Sequence, residues 1–156
     1  QHAIKSRRLC YNEDMNPFPY SSDNKRYHTF NYDLRQRYGS KVYRVPLNTN
    51  LSCPNRDGTC GLGGCSFCNE EGSGEFAGDP KDDLLKQYEQ GKAMMSRKWP
   101  DAKPIAYFQA FTNTYAPLET LKTFFEPFIN MGEVLALAIA TRADCLNDQT
   151  IAYLDG

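Results

Sequence analysis

The sequence predicts an α/β chain in which parallel strands alternate with helices, and three observations carry that prediction. Short runs rich in aliphatic and aromatic residues recur at 41–47, 105–111 and 133–140. Segments of helical character separate them, at 79–98 and 117–130. Each strand-like run also ends in a polar loop. A strand, helix, strand, helix order calls for helical crossovers between parallel strands, either in an open doubly wound sheet or in part of a (β/α) barrel. With 156 residues, 40% of them apolar, the chain suits one ordinary domain with a real core.

The elements follow in order. Residues 1–24 hold Asn12, Asn16, Pro17, Pro19, Ser21, Ser22 and Asn24 without a sustained apolar period, and read as a flexible N-terminal extension. Met15 is a candidate native start, which would make 1–14 a leader or an upstream extension. Tyr27 to Tyr38 reads as a short helix stopped by Gly39. Lys41 to Leu47 alternates as a first strand and runs straight into a cysteine-rich loop. Asp79-Pro80 opens a helix that continues to about Lys98, with acids early and bases late as the helix dipole prefers, and Trp99-Pro100 ends it. The Met94-Met95 pair reads as core packing. Ile105 to Phe111 is a second strand with Gln109 as a polar intruder, Pro117 to Asn130 an amphipathic helix, and Glu133 to Ala140 a third strand. Asn147-Asp148 caps a further helix.

In either architecture ligands gather at the C-terminal ends of the strands. The cysteine loop, Thr112-Asn113-Thr114-Tyr115 and Thr141-Arg142-Ala143-Asp144 would converge there, although turn and N-cap chemistry alone also places Asn, Thr and Asp in such loops.

The net charge of −1 conceals an asymmetry: residues 1–48 carry nine Lys or Arg against four acids, and the remainder nine against fifteen. Tyr27, His28, Phe30, Tyr32, Tyr38 and Tyr43 lie among the basic residues, a mixture suited to phosphate contact and base stacking. A solvated basic segment on an acidic body explains the charges equally well. No apolar run approaches the ~20 residues of a membrane span. No Ser-His-Asp arrangement and no nucleoside-triphosphate loop is visible.

The cysteine loop, residues 53–78, reads CPNRDGTCGLGGCSFCNEEGSGEFAG and holds four of the six cysteines. A disulfide framework belongs to small secreted domains without a sizeable core, and no apolar signal segment is present. A metal is the better explanation, and two compete. Structural zinc wants four tetrahedral ligands, often in two Cys-x-x-Cys knuckles, and only Cys65-Ser66-Phe67-Cys68 has that form. Iron-sulfur clusters accept wider spacings because the cluster is a larger body. The spacing favours iron-sulfur and leaves zinc open. Thiols used as ligands imply a reducing compartment, hence the cytoplasm.

The motifs Cys53-Pro54-Asn55-Arg56-Asp57-Gly58-Thr59, Gly63-Gly64-Cys65-Ser66-Phe67-Cys68 and Gly72-Ser73-Gly74-Glu75-Phe76-Ala77-Gly78 closely resemble the cluster loop of the YtqA/YhcC-type radical S-adenosylmethionine (SAM) proteins, relatives of the elongator catalytic subunit. The resemblance extends to Asn16-Pro17-Phe18-Pro19-Tyr20, Asp23-Asn24-Lys25-Arg26-Tyr27-His28, the run from Tyr107 to Pro117, and Thr141-Arg142-Ala143-Asp144-Cys145-Leu146. It implies a partial (β/α) barrel of the radical SAM type over 25–156, truncated after about three strand-helix units, because such proteins continue into further strands. A piece of a longer protein is therefore expected, not competent as an enzyme alone.

The resemblance further implies a 4Fe-4S cluster held by Cys53, Cys65 and Cys68, with SAM on the remaining iron. Cys60 falls where the pattern requires no cysteine, although Cys60 with Cys65 and Cys68 is an alternative set. Reductive cleavage of SAM to methionine and a 5'-deoxyadenosyl radical would follow, with the cofactor carrying the hard chemistry. Phe67 is expected to pack near the adenine, Gln109, Thr112 and Asn113 to meet polar groups of SAM, and Arg142 to offer a fork to its carboxylate. Ala143 departs from the usual Pro, which leaves the backbone presenting Arg142 less rigid. The implied substrate class is tRNA wobble-uridine side chains, with flavodoxin or ferredoxin as reductant. The alternative of another class is a zinc-stabilised RNA-binding module in which Cys53, Cys60, Cys65 and Cys68 hold one ion.

Overall fold

A computed structural model of the chain describes Phe18 and residues 25–156. The flexible extension expected over 1–24 lies, Phe18 apart, outside the described residues. The chain divides into two compact units between Gly39 and Ser40.

In the first unit the helix α1 runs Phe30–Tyr38 and begins three residues later than its apolar pattern suggested. Its start is set by Thr29, whose hydroxyl accepts the Tyr32 amide at 3.1 Å. Gly39 ends it in the left-handed conformation, as expected. His28 stands 3.8 Å from Asp33 and edge-on to Tyr32, which gives this histidine a local structural explanation.

The second unit is α/β. Its strands β1 (Val42–Asn48), β2 (Lys103–Gln109) and β3 (Leu137–Ile139) form a parallel sheet in that order, with Val45 opposite Ala106 and Phe108 opposite Ile139. The crossovers are α2 (Leu84–Lys98) and α3 (Leu118–Ile129), and α4 (Asp148–Asp155) follows β3 through a short 3-10 turn at Ala143–Cys145. Alternate residues Tyr43, Val45 and Leu47 of β1 and Ala106 and Phe108 of β2 form the core with Tyr88 of α2 and Leu121, Phe125 and Phe128 of α3. Phe108 meets the Phe125 ring edge-on at 4.8 Å, a geometry the ring quadrupoles favour. Among the described residues no helix is long and apolar enough to cross a membrane.

Several boundaries differ from the sequence reading, each for a local reason. Asp79 closes only a turn, accepting the Lys81 amide at 2.9 Å, while Asp83 caps α2 by accepting the Lys86 amide at 2.9 Å. Helix α2 thus carries bases in its last turn, Arg97 and Lys98, but no acid in its first. Of the methionine pair, Met95 packs on the core and Met94 is exposed. Strand β2 ends at Gln109 because Ala110 and Phe111 adopt φ of 71° and 56°, a conformation side chains with a Cβ seldom occupy. Strand β3 starts late because a turn, closed by the Val134 amide on the Met131 carbonyl at 2.9 Å, takes up Glu133, whose side chain accepts from Lys92 Nζ at 2.6 Å and the Tyr88 hydroxyl at 3.2 Å. Asn147 caps α4 as expected, accepting the Thr150 amide at 2.8 Å.

Candidate functional site

Parallel strands deliver their C-terminal ends to one edge, and the loops that leave β1, β2 and β3 are tied together there. The Thr112 amide donates to the Ser52 carbonyl at 3.3 Å, the Asn113 amide to Ala140 at 2.9 Å, and the Phe111 amide to Gly72 at 3.2 Å. The hydroxyls of Thr114 and Thr141 share a hydrogen bond, and Tyr115 reaches Thr59 at 2.9 Å. Beneath this lies Asn113, which is fully buried. Its side-chain amide donates to the carbonyls of Phe108, Ala110 and Ala140, and its oxygen accepts from the Thr49 hydroxyl at 2.7 Å. One side chain thereby joins the ends of all three strands.

The cysteine loop is built from consecutive turns. The Arg56 amide donates to Cys53 at 2.8 Å, Gly64 to Asn55 at 2.9 Å, and Cys68 to Cys65 at 3.0 Å. At four glycines of the loop, Gly64, Gly72, Gly74 and Gly78, a side chain would meet a close neighbour. A Cβ on Gly64 would stand 2.9 Å from Nε of Arg56, and one on Gly72 would stand 2.5 Å from the Phe111 ring. Both glycines also have positive φ, 87° and 62°.

A cavity of about 260 Å³ opens between this loop and the ends of β2 and β3. Cys53, Cys65 and Cys68 all line it, together with Phe67, Thr112 and Arg142. Six of the eight residues singled out from sequence are therefore brought to one place. Gln109 and Asn113 are not among the lining residues. The Gln109 amide donates instead to the Ser73 carbonyl, and Asn113 is committed to the strand ends. Cys60 is exposed and outside the cavity. Phe67 is 82% exposed, so ordinary core packing does not account for it. Sequence reasoning overlooked Arg56, Phe111 and Thr141, which also line the cavity. Arg56 stands in the quoted motif, yet an arginine in a polar loop reads as a solvated charge.

Two of the three sulfurs accept a hydrogen bond, and the third has its thiol shifted by the groups beside it. Asn55 Nδ2 donates to Cys65 Sγ at 3.0 Å, and the Ser73 hydroxyl lies 4.0 Å from Cys68 Sγ. Burial pushes the Cys53 thiol up, but the Thr112 hydroxyl, the Asn55 backbone and the Arg142 guanidinium outweigh it and hold this thiol below its ordinary value. Cys145 behaves oppositely: burial, followed by the Asp144 charge, raises its thiol, and its sulfur donates to Asp144 Oδ1 at 3.8 Å. Arg142 is itself engaged, with Nε and Nη2 on Asp144 at 2.9 and 2.6 Å.

Donors aimed at sulfur favour thiolate, the form that ligates metal, so the donor set suits an iron-sulfur group held by Cys53, Cys65 and Cys68. Among the described residues no group of three His, Cys, Asp or Glu is placed to hold a metal ion.

Fold and site define a class: a parallel α/β chain bearing a multi-cysteine loop on the carboxyl edge of its sheet. The chain is 54% identical over 139 residues to the uncharacterized protein YtqA of Bacillus subtilis, an alignment that covers 89% of this chain and 43% of that protein. It is 34% identical over 125 residues to protein YhcC of Escherichia coli, with 80% and 39% covered. It is 32% identical over 127 residues to the uncharacterized protein MJ0486 of Methanocaldococcus jannaschii, with 78% and 37% covered. The chain thus spans about two fifths of the length of the curated relatives it matches. No family profile matches it, and no solved structure does.

These relatives correct the family expectation drawn from the motifs. That expectation named a radical SAM protein related to the elongator catalytic subunit. The matched proteins carry no assigned activity, and nothing in them shows radical SAM chemistry, so the relatives establish likeness to YtqA, YhcC and MJ0486 and no more.

Proposed function

We propose that Cys53, Cys65 and Cys68 hold a 4Fe-4S cluster and that the chain forms part of an enzyme that cleaves SAM reductively. The observation that carries this reading is the convergence of the three cysteines on one cavity, where the sulfurs of Cys65 and Cys68 each accept a hydrogen bond. When bound, the cluster supplies the electron that breaks a carbon-sulfur bond of SAM. The chain's own residues orient and shield. Asn55 and Ser73 fix the sulfurs of Cys65 and Cys68, Thr112 favours the Cys53 thiolate, Phe67 offers an aromatic face at the cavity, and Arg142 brings a guanidinium whose Nη1 lies outside its pair with Asp144. Gln109 and Asn113 serve by positioning the loops. The three strands are then consecutive staves of a (β/α) barrel, whose sites lie on this edge.

Thiolate ligands require a reducing compartment, so the reading places the protein in the cytoplasm, with flavodoxin or ferredoxin as its reductant. For substrate it takes RNA-linked groups, tRNA wobble-uridine side chains first, supported by the nine Lys and Arg among residues 1–48.

The test is iron, sulfide and zinc content after anaerobic reconstitution, for the wild type and single Cys→Ser variants. Iron should disappear in Cys53→Ser, Cys65→Ser and Cys68→Ser and persist in Cys60→Ser. Tight stoichiometric zinc that is lost in Cys60→Ser would establish the zinc-stabilised RNA-binding module instead. In the longer Bacillus subtilis relative, SAM and dithionite should release 5'-deoxyadenosine.

A further inference from the structure

Two guanidinium groups line the three-cysteine cavity, and they differ in one respect. Arg142 is neutralised by a two-point pair with Asp144. Arg56 forms no ion pair among the described residues, and none of the residues lining the cavity is a carboxylate. Its Nη1 donates to the Glu70 carbonyl at 2.9 Å and its Nη2 to the Asn69 carbonyl. Its Cζ lies 5.1 Å from the centre of the Phe111 ring, and its guanidinium edge, with Cγ behind it, fills the space left by the missing side chain of Gly64. Carbonyls satisfy donors without cancelling charge. Arg56 therefore reaches four separate parts of the site: the first turn of the loop, the Gly63-Gly64 stretch, the Asn69-Glu70 segment, and the end of β2.

We infer that Arg56 is a positioning residue with two roles. It clamps the Cys65–Cys68 limb against the Cys53 limb, and it supplies the uncompensated positive charge of the cavity. The clamp follows from a planar fork held by two carbonyls and a ring, a geometry lysine does not reproduce. The charge role rests on the cluster reading proposed above. A cluster on three thiolates is anionic and becomes more so on reduction, so a fixed cation beside it makes reduction easier. Sequence alone hides this, because Phe111 and the two carbonyls meet Arg56 only in the folded loop.

The experiment compares the wild-type chain with Arg56→Gln and Arg56→Lys in two measurements. The first is amide hydrogen exchange of the iron-free protein, with Gly64, Cys68 and Gly72 as reporters, since each donates a loop hydrogen bond. Both variants should speed exchange at these amides about tenfold or more while the amides of β1 and α2 stay as in the wild type. Unchanged exchange in both variants overturns the clamp. The second is the midpoint potential of the reconstituted cluster. Arg56→Gln should make reduction at least about tenfold less favourable, a fall of about 59 mV for one electron, and Arg56→Lys should keep most of the wild-type potential. An equal fall in both variants, or none in Arg56→Gln, overturns the charge role. If the wild-type chain takes up no cluster, the cluster reading fails and the charge role with it, while the iron-free exchange comparison still decides the clamp.

Discussion

Replacing Asn113 with alanine tests whether the three strand ends depend on one buried amide. The cost follows from asking which partners lose their only bond. The Phe108 carbonyl also accepts the Ala140 amide at 2.9 Å, and the Ala140 carbonyl also accepts the backbone amide of residue 113 at 2.9 Å, so both remain satisfied in Asn113→Ala. The Ala110 carbonyl and the Thr49 hydroxyl have the Asn113 side chain as their partner, and both residues are buried. Leaving a buried polar group unpaired costs ~1–3 kcal/mol, so two such groups predict a loss of about 3 kcal/mol. At ~3 °C per kcal/mol for a chain of this size, Tm should fall by about 10 °C. Urea unfolding followed by far-ultraviolet circular dichroism gives the free energy, and a thermal scan gives Tm. Gln109→Ala is the control: its amide bond to Ser73 is exposed, so the loss should stay below ~1 kcal/mol. A loss below ~1 kcal/mol in Asn113→Ala would refute the reasoning. If stability held and SAM affinity fell, Asn113 would be a cofactor contact, as its loop position first suggested.

Three further outcomes are expected. Burial, followed by the Glu133 charge, pushes the Tyr88 phenol well above its ordinary value of 10.0; a raised folded-state value means the contribution is whole below pH 10 and is lost as pH rises beyond it. Between pH 10 and 11 the wild type should therefore lose up to ~1.4 kcal/mol that Tyr88→Phe does not, and parallel urea-unfolding curves across that range would contradict the assignment. Asp83→Ala should cost about 1 kcal/mol in urea unfolding by removing the cap of α2. Asp79→Ala should stay within ~0.5 kcal/mol, and the reverse order would move the helix start back to Asp79. Gly72→Ala, with positive φ and the Phe111 ring in the way, should cost about 1–2 kcal/mol and lower the iron content after reconstitution; wild-type values for both would show that the loop tolerates a side chain there.

What the sequence made legible was whatever rests on periodicity or on neighbours along the chain. Helix α3 lies within one residue of its expected limits at each end, because an amphipathic period bounded by Pro117 and Asn130 is a local signal. The cap at Asn147 and the stop at Gly39 are equally local, whereas the cap at Thr29 lies inside the helix expected from Tyr27. Strand β2 lies two residues earlier than its apolar run because Ala110 and Phe111 have ordinary strand character in isolation, and the bonds from Asn113, together with those of the Phe111 and Thr112 amides to other loops, draw the chain out of the sheet there. Strand β3 is shorter than its apolar run because a turn from Met131 to Val134 takes up the first residues, and the partners that hold Glu133 there lie on α2, some forty residues away in sequence. At the site the resemblance of the motif singled out three cysteines where spacing alone left four, whereas the contacts of Arg56 depend on Phe111, Asn69 and Glu70 arriving together.

The same distinction explains why cysteines of one chain acquire different chemistry. A thiol near the sheet edge loses solvation in every case, which by itself favours the protonated form. What differs is the sign of the groups that replace water. Around Cys53 they are donors, the Thr112 hydroxyl, the Asn55 backbone and the Arg142 guanidinium, and the thiolate gains. Beside Cys145 the nearest group is the Asp144 carboxylate, an acceptor, and the thiol keeps its proton and donates it. Arg142 stands between the two, pairing with Asp144 while favouring the charged form of Cys53. The third strand's loop thus sorts the two sulfurs: it favours the thiolate at Cys53 and the protonated thiol at Cys145.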